Sequence, residues 1–484
     1  MRRFLVTATP PTTNGDLHVG HLSGPYLGAD VFCRAQRLLG HEALYASGGD
    51  DHQTYVVTTA QSLDLDPAEL AAGCGRDIRE TLRLADIDID AFTTVDEVYL
   101  ARVRAFFTGL HDRGKLVRRK WTFPYCEQTG RYLLEAFVTG YCPECFAPTS
   151  GAICESCGHP NDPGSLLFGV GTGAHARSRV RPREVEILVL PLEDYREQIA
   201  GFFARRRDTM RPRVLRFVEE MLTRPLPDFP VTYPADWGVP VPLAGFAGQV
   251  FNVWAEMLPG LMHMAEVAQA RRAPERAARA WAADSGYELV QFLGYDNTFY
   301  FSLAHLGLSF AHGDLLAPTA IVTNEFYHLD GAKFSTSRRH LVWARDLVAA
   351  HGADSVRFHL ALHNPEQQTA NFTEPEFGKT VTTRLWEPLA AIEATIGARP
   401  AAEGPEPALL SRYRDRMRRA YTLETFSLRQ AAESTANLLA LLAARATTDP
   451  ALAGHGLRAI AELAAPLLPG LAARLRDGTG ERAG

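Results

Sequence analysis

The sequence predicts an α/β protein in which a parallel sheet is followed by a helical C-terminal part. An apolar run rich in β-forming residues spans 3–8, a helical apolar spacing spans 18–39, and a second strand pattern spans 42–47. A strand, a loop, a helix and a strand in this order are typical of a parallel sheet, in which ligands bind beyond the carboxyl ends of the strands. Near the C-terminus, Leu and Ala recur at helical spacing over 438–446 and 457–475.

Length and composition limit the class of protein. The chain has 484 residues, a length that suggests about three domains. Hydrophobic residues make up 46% and charged residues 22%, which excludes a disordered or collagen-like chain. The formal net charge of −6 argues against general electrostatic binding of nucleic acid. The first apolar run ends too early, at Pro10, for a signal peptide, and no run of about 18 apolar residues marks a membrane span. We therefore expect a cytoplasmic protein with no membrane partner.

The sheet pattern is interrupted by a long segment of different texture. Between residues 115 and 232, short strands, turns and an Arg-rich helical stretch replace it, and strand patterns return at 288–294 and 320–323. A Pro/Gly/Glu-rich linker at 397–408 precedes the C-terminal helices. We predict a sheet domain in two halves (1–114 and 233–335), an insertion (115–232), a connecting fold (336–380) and a helical domain (381–484).

Seven cysteines occur, and four of them are crowded into the insertion. Cys142 and Cys145 form one C-x2-C pair, and Cys154 and Cys157 form a second. Two such pairs can place four thiolates tetrahedrally around Zn²⁺ with no open coordination position, which makes the ion structural. The alternative is four unligated thiols in one short loop. We expect a structural zinc site at Cys142, Cys145, Cys154 and Cys157.

Two motifs indicate phosphate chemistry. Residues 14–21 read Asn-Gly-Asp-Leu-His-Val-Gly-His where the first strand gives way to a helix, so backbone N–H groups and the helix N-terminus can face an anion. Gly20 lets a ligand approach the backbone closely. Much later, residues 330–338 form a polar turn that contains Lys333 and several hydroxyls. Taken singly, the first motif is also compatible with surface or capping histidines and the second with a solvated loop.

Together and in this order, the two motifs resemble the H-I-G-H and K-M-S-K-S signatures of class I aminoacyl-tRNA synthetases. The resemblance narrows to the methionyl-tRNA synthetase family through residues 9–20, 49–52, 236–242, 253–254, 294–296 and 352–358. It covers about residues 3–375. It implies a Rossmann-like catalytic domain, split by a zinc-knuckle insertion and followed by an α-helical anticodon-bundle-like domain. It also implies that ATP enters with Mg²⁺ and is joined to an amino acid as aminoacyl-AMP.

The resemblance also implies roles for single residues. The catalytic set is His18, His21 and Lys333, in which the histidines steady the α- and β-phosphates and the lysine steadies the departing pyrophosphate. This chemistry needs positive donors where charge grows in the transition state. The implied ATP-binding residues are Asn14, Gly20, Gly294, Asp296 and Lys333. The implied amino-acid-binding residues are Thr9, Pro10, Thr12, Asp50, Trp254, Leu258, Leu261, Phe301 and His305. Asp50 holds the α-ammonium group in this scheme, and its alternative role is to cap a helix.

Cations are missing at two positions where the family has them. Thr336 replaces the second signature lysine, and Thr232 stands where the family has an arginine. Both positions are expected near the phosphates or the tRNA end. Arg338 and Arg339 are the nearest cations able to compensate for the loss at Thr336.

The side-chain pocket and the helical domain also depart from the family. Thr12, Leu258, Leu261, Phe301 and His305 replace the family's methionine contacts. Each mismatched contact is worth about 1–3 kcal/mol of discrimination. The C-terminal segment 437–446 lacks the Tyr and Trp on which an anticodon base would stack.

Three hypotheses for function follow. The favoured one is a synthetase-like ligase that transfers its amino acid to a non-tRNA acceptor, an amine or a hydroxylamine such as an N-hydroxylated lysine or ornithine. Enzymes that this chain resembles make hydrazines in this way with a cupin, which here would be a separate protein. The second is a methionine–tRNA ligase that charges tRNA(Met). The third is a non-catalytic paralogue that binds ATP or an amino acid, and the retained His18, His21 and Lys333 count against it.

Overall fold

The computed structural model describes residues 1–334, 340–397 and 404–479. The N-terminal part alternates strands and helices. Its elements are β1 (Arg3–Ala8), α1 (Val19–His21), α2 (Leu27–Leu38), β2 (Glu42–Gly48), α3 (Thr54–Leu63), α4 (Pro67–Leu84), β3 (Ala91–Thr93) and α5 (Glu97–Asp112). A strand-rich segment follows, with β4 (Val117–Cys126), β5 (Arg131–Tyr132), β6 (Val138–Tyr141), β7 (Pro148–Ser150), β8 (Ala152–Ile153), β9 (Pro160–Asn161), β10 (Leu167–Gly171), β11 (Val180–Pro191), α6 (Arg196–Ala204), α7 (Pro212–Met221), β12 (Asp228–Pro230), β13 (Thr232–Tyr233) and β14 (Val250–Phe251).

The remaining elements complete the sheet and form the helical C-terminal part. They are α8 (Val253–Arg272), β15 (Glu288–Gly294), α9 (His305–His312), β16 (Pro318–Asn324), β17 (Tyr327–Leu329), β18 (Ala332–Lys333), α10 (Ala344–His351), α11 (Ala353–Leu362), β19 (Ala370–Phe372), α12 (Glu374–Val381), α13 (Glu387–Ile396), α14 (Leu409–Tyr421), α15 (Leu428–Arg445), α16 (Pro450–Leu463) and α17 (Pro469–Thr479).

Within the described residues, five parallel strands form the central sheet in the order β16-β15-β1-β2-β3. The four strand patterns found in the sequence are all in it. β1 pairs with β15 through partners such as Val6 and Val290, and with β2 through Val6 and Tyr45. The strand order reverses at β1 and β15, so the loops that follow these two strands diverge and leave a crevice at their carboxyl ends. The structure confirms the predicted fold class, a Rossmann-like α/β sheet followed by helices.

Side chains from the sheet enter two separate cores on its opposite faces. Phe4 and Val290 enter one core, whereas their neighbours Leu5 and Leu289 enter the other. This alternation follows from the two-residue period of a strand. The first core also contains α2 and the C-terminal helices, and the second contains α5, α8 and the insertion helices α6 and α7. Strands buried on both faces are apolar along their whole length, which explains the continuous apolar runs in the sequence.

The helix predicted over residues 18–39 starts at Val19 and is interrupted. A π-helical turn, Leu22–Tyr26, separates α1 from α2. Pro25 lies in this turn and has no N–H to donate, and Gly24 leaves the helical conformation with φ −79° and ψ −127°. The break therefore separates the histidine segment from the long helix that packs on the sheet.

The C-terminal helices also contain a break that apolar spacing does not reveal. The stretch 457–475 is two helices, because α16 ends at Leu463 and α17 starts at Pro469.

Asn437 lies exposed on α15 and accepts a hydrogen bond from Arg384. In the described part of the chain, no helix is long and apolar enough to cross a membrane.

A buried arginine joins the C-terminal helices to the sheet domain. Arg357 on α11 is 1% exposed, and its Nη2 donates to Oδ2 of the fully buried Asp30 on α2 at 2.6 Å. The same guanidinium donates to the carbonyls of Leu467 and Pro466, which lie between α16 and α17, each at 2.8 Å. It also donates to the carbonyl of Asp86, just after α4, at 2.9 Å. Backbone carbonyls from two chain segments and one carboxylate from α2 therefore converge on one buried cation.

We expect Arg357→Met to lower the stability of the protein by about 3–5 kcal/mol, because the buried Asp30 carboxylate keeps Arg34 but loses its buried partner, and the carbonyls of Leu467, Pro466 and Asp86 lose a donor. The measurement is the midpoint of chemical unfolding. The matched control is Arg83→Met, since Arg83 forms an exposed pair with Glu80 and its loss should leave the midpoint unchanged. Equal shifts for the two variants would contradict the role given to Arg357.

Candidate active site

A cavity of about 460 Å³ lies at the carboxyl ends of β1 and β15, in the predicted crevice. Most of the residues that the sequence singles out line it. These are Thr9, Pro10, Thr12, Asn14, His18, Gly20, His21, Asp50, Trp254, Gly294, Asp296 and Lys333. The four others, Leu258, Leu261, Phe301 and His305, are buried but do not line the cavity. The fold thus brings twelve residues from distant parts of the chain to one place.

His18 and His21 hold each other in place at the start of α1. The Nδ1 of His18 accepts a hydrogen bond from the His21 backbone N–H at 3.3 Å, and the Nδ1 of His21 accepts one from the His18 N–H at 3.4 Å. The two rings stack at 3.6 Å, and Phe334 stacks on His18 at 4.6 Å. Because each Nδ1 is an acceptor, a neutral ring carries its proton on Nε2 and offers that N–H to a ligand.

Gly20 leaves room for these rings. A Cβ at this position would lie 3.0 Å from atoms of the His18 ring and from the Phe334 ring. Any side chain larger than hydrogen would therefore push the rings apart. The close packing of the two rings therefore explains why a glycine suits position 20.

The surroundings of the two histidines lower the pKa of both. Burial lowers the pKa of His18 well below its ordinary value, and the neighbouring His21 and Lys333 lower it further. Burial and Lys333 also lower the pKa of His21, although its ring reaches the open cavity. Both shifts favour the uncharged form, in which each imidazole still offers one N–H donor to a ligand, and the catalytic roles of His18, His21 and Lys333 stay predictions.

The opposite end of the cavity is acidic. Asp50 is 8% exposed, and its backbone N–H donates to the Pro11 carbonyl at 2.9 Å. Burial raises the pKa of Asp50 well above its usual range, and the carboxylates of Glu256 and Glu135 raise it further. Helix α3 has Gln53, not Asp50, as its N-cap residue. Asp50 is therefore a buried acid that faces the cavity, in need of a cationic partner.

Glu135 is an acidic residue of this site that the sequence analysis missed. It lines the cavity, is 2% exposed, and adopts a positive φ of 40°. Trp254 Nε1 donates to its Oε1 at 2.7 Å, and Thr54 Oγ1 donates to its Oε2 at 3.3 Å. Burial raises the pKa of Glu135 to about 7, while these two hydrogen bonds oppose the rise. A single acid inside the apolar run Leu133–Val138 was the signal that could have found it.

Trp254 closes the inner end of the cavity. Its ring stacks on Tyr300 at 4.2 Å with an interplanar angle of 11°, and its carbonyl is hydrogen-bonded to Nε2 of His305 at 2.8 Å. Leu258 and Leu261 follow it on α8, and Phe301 lies in the π-helical turn beside Tyr300. Leu258, Leu261, Phe301 and His305 are buried outside the cavity, whose lining from α8 is Trp254 and Met257.

Gly294, Asp296 and Lys333, the residues predicted to bind the nucleotide, line the cavity together; we call this region the nucleotide end. A Cβ on Gly294 would lie 2.6 Å from the Asp296 carboxylate, so a larger residue there would displace this carboxylate from its present position. Burial raises the pKa of Asp296 to about 6, Glu155 raises it further, and Lys333 opposes the rise. Lys333 Nζ donates to the carboxylate of Glu155, a second residue that the sequence analysis missed.

At two positions, Thr232 and Thr336, this chain has a threonine where the family has a cation. Thr232 is fully buried below the cavity, where it accepts a hydrogen bond from the Leu188 N–H and donates to Gln249 Oε1 at 2.7 Å. It does not line the cavity, and its expected position near the phosphates or the tRNA end stays a prediction. Thr336, Arg338 and Arg339 lie outside the described residues.

The four cysteines of the insertion form one cluster. Their sulfur atoms all lie within 4.8 Å of one another, and two of the separations, Cys142–Cys157 and Cys145–Cys154, are 3.9 and 3.5 Å. Four thiolates at 2.3 Å from one Zn²⁺ stand about 3.8 Å apart at the corners of a tetrahedron. The donor set and the spacing therefore fit a structural zinc site.

The sequence profile described as "tRNA synthetases class I (M)" matches residues 4–392. The chain belongs to this family of class I synthetases. Curated relatives include the methionine–tRNA ligases of Kineococcus radiotolerans, 32% identical over 434 residues, and of Roseiflexus sp. (strain RS-1), 31% identical over 422 residues. Each alignment covers 84% of this chain and 71% of the relative. The relative from Picrophilus torridus is 30% identical, and the alignment covers 79% of this chain but only 55% of that protein.

A solved structure shows the same fold. Methionyl-tRNA synthetase of Mycobacterium tuberculosis in complex with methionyl-adenylate superimposes with a TM-score of 0.75 at 19% identity. The match covers 99% of this chain and 94% of that one. The likeness therefore extends over the sheet, the insertion and the helical part together.

We expect one Zn²⁺ per chain, bound by the four clustered cysteines, and elemental analysis of protein purified without chelators measures it. Cys154→Ser should lower both the zinc content and the melting temperature, because metal binding contributes folding free energy. Cys74→Ser is the control, since Cys74 lies outside the cluster and should keep the zinc. The assignment would be contradicted if the wild-type protein contained no zinc and Cys154→Ser had the same melting temperature as the wild type.

Proposed function

We propose that the protein activates methionine with ATP and transfers the methionyl group to tRNA. The observation that carries the proposal is that one cavity holds two groups of side chains: the imidazole donors and Lys333, with Asp296 and Glu155 beside the lysine, and the buried acid Asp50 with its acidic neighbour Glu135. A molecule with an anionic polyphosphate and an ammonium group matches these two groups. The names of the relatives support tRNA charging better than the non-tRNA acceptor favoured from the sequence.

The histidine end suits the first chemical step. The carboxylate oxygen of the amino acid attacks the α-phosphorus of ATP, a new P–O bond forms, and the bond to the β-phosphate breaks to release pyrophosphate. The Nε2 protons of His18 and His21 can donate to phosphate oxygens whose negative charge grows in the transition state. Lys333 is placed to neutralise the leaving pyrophosphate, and Mg²⁺ enters as part of the substrate Mg²⁺·ATP.

The acidic end suits the amino acid. Asp50 regains a favourable charge balance when an α-ammonium group binds, because a cation relieves the cost of its burial. Trp254 offers an apolar wall for a side chain and is fixed by its hydrogen bond to Glu135. In the second step, a tRNA ribose hydroxyl attacks the carbonyl carbon of the adenylate and AMP leaves.

We expect the purified protein to catalyse ATP–pyrophosphate exchange that depends on methionine. His21→Ala should raise the barrier by about 2–4 kcal/mol, which is roughly 30- to 1000-fold in rate, because one transition-state donor is lost. His111→Ala is the control, since His111 lies on α5 outside the cavity. Exchange that is equally fast in both variants would overturn the role of His21, and a lack of exchange with any amino acid would overturn activation itself.

A second candidate function rests on the amino-acid end of the cavity. Glu135 places a carboxylate beside Trp254, Thr12 lines the same cavity, and Leu258 and Leu261 do not line it. A site of this kind also suits an amino acid other than methionine. The corresponding ligase would pass its amino acid to the hydroxylamine of an N-hydroxylated diamine, with a cupin as a separate partner.

The two candidates differ in the product of the second step. We expect radiolabelled methionine to appear on tRNA(Met), detected by acid gel electrophoresis after incubation with ATP. The alternative predicts an O-aminoacyl ester in the presence of N-hydroxylysine or N-hydroxyornithine, detected by mass spectrometry, with no charged tRNA. The proposal fails if adenylate forms but tRNA(Met) stays uncharged while the ester accumulates.

A further inference from the structure

Lys333 forms an ion pair with Glu155, a residue of the loop that carries the clustered cysteines. Glu155 lies between two of the clustered cysteines, Cys154 and Cys157, and its Oε2 accepts from Lys333 Nζ. Both side chains line the cavity, and they are 45% and 50% exposed. Lys333 comes from β18, 178 positions further along the chain. The pair therefore bridges the insertion and the sheet domain across the nucleotide end of the cavity.

The segment that carries Glu155 is held against the sheet domain on both sides. Tyr295 Oη donates to the Cys157 carbonyl at 3.4 Å, and Tyr300 Oη donates to the Ala152 carbonyl at 2.9 Å. Both tyrosines are buried next to residues of the site. A bound metal at the four cysteines would fix the same segment further. The carboxylate of Glu155 is thus presented to Lys333 from a supported position.

One lysine cannot serve Glu155 and a polyphosphate equally well. An ammonium group is a point charge that can turn from one anion to another, and a polyphosphate brings more negative charge than one carboxylate. Glu155 also adds negative charge beside Asp296 at the end of the cavity where the phosphates arrive. ATP must therefore displace Glu155 from Lys333 and approach against its field.

We propose that Glu155 is a positioning residue that holds Lys333 when the site is free of phosphate and takes it back when pyrophosphate leaves. This inference rests on the proposed function, since it assumes that ATP binds beside Lys333. It makes Glu155 a competitor of ATP and of pyrophosphate for one cation. The pair is half exposed, so the competition is modest.

The test compares two variants of the same knuckle. Glu155→Gln removes the carboxylate that faces Lys333. Glu144→Gln is the matched control, because Glu144 also lies between two of the clustered cysteines but pairs with Arg224, at 3.0 Å, and does not line the cavity. Calorimetric titration with ATP and, separately, with pyrophosphate gives the dissociation constants, and zinc analysis shows whether the knuckle is intact.

We expect Glu155→Gln to bind ATP and pyrophosphate about two- to fivefold more tightly than the wild type, with unchanged zinc content. Glu144→Gln should match the wild type. In a Lys333→Met background, Glu155→Gln should tighten binding less, because the competition for the lysine is gone and only repulsion remains. If Glu155→Gln loses zinc, Glu155→Ala replaces it in both the wild-type and the Lys333→Met backgrounds, and dissociation constants are compared only between proteins of equal zinc content.

Unchanged or weaker binding of both ligands to Glu155→Gln would overturn the inference, as would an identical tightening in the Lys333→Met background. Failure of the proposed function looks different. In that case the wild-type protein itself does not bind ATP, whereas failure of the inference leaves ATP binding to the wild type measurable.

Discussion

The parallel pairing of β1 with β15 is the constraint on which the site depends. These strands are almost the length of the sheet domain apart in sequence, yet they lie side by side in register, with Val6 opposite Val290. Because their carboxyl ends coincide, the histidine segment after β1 and the Gly294–Asp296 segment after β15 face the same crevice. A shift of this register by one residue would exchange the side chains that enter the two cores on opposite faces of the sheet. Both cores are apolar, so the fit of particular side chains is what disfavours the shift.

Electrostatics then divides the cavity into two ends. Desolvation lowers the pKa of both motif histidines, although His21 is exposed at the cavity, and it raises the pKa of Asp50, of Glu135 and of Asp296. Each of these groups is unfavourably placed in the absence of a ligand, and ligand charges of opposite sign relieve the cost. The cavity is therefore polarised before any substrate binds, as electrostatic preorganisation requires.

The insertion packs on the sheet and also contacts the cavity. Its helices α6 and α7 share a core with the sheet, and its cysteine-bearing segment contacts the nucleotide end through Glu155 and the carbonyls of Cys157 and Ala152. A structural metal at the cysteines would therefore act on the site through the position of one carboxylate. On the other face of the sheet, Arg357 ties the helical part to α2 and to the end of α4.

The sequence by itself determined the features that depend on local pattern. Apolar runs marked the strands β1, β2, β15 and β16, C-x2-C spacing marked the four clustered cysteines, and motif order marked His18, His21 and Lys333. Only the tertiary structure decided which acids face the cavity. Glu135 and Glu155 reach it from the insertion, Thr232 is directed into the core, and Leu258 is buried outside the cavity. The physical reason is that exposure to a shared cavity depends on contacts between residues more than a hundred positions apart, such as Trp254 with Glu135 and Lys333 with Glu155, and no local spacing records such contacts.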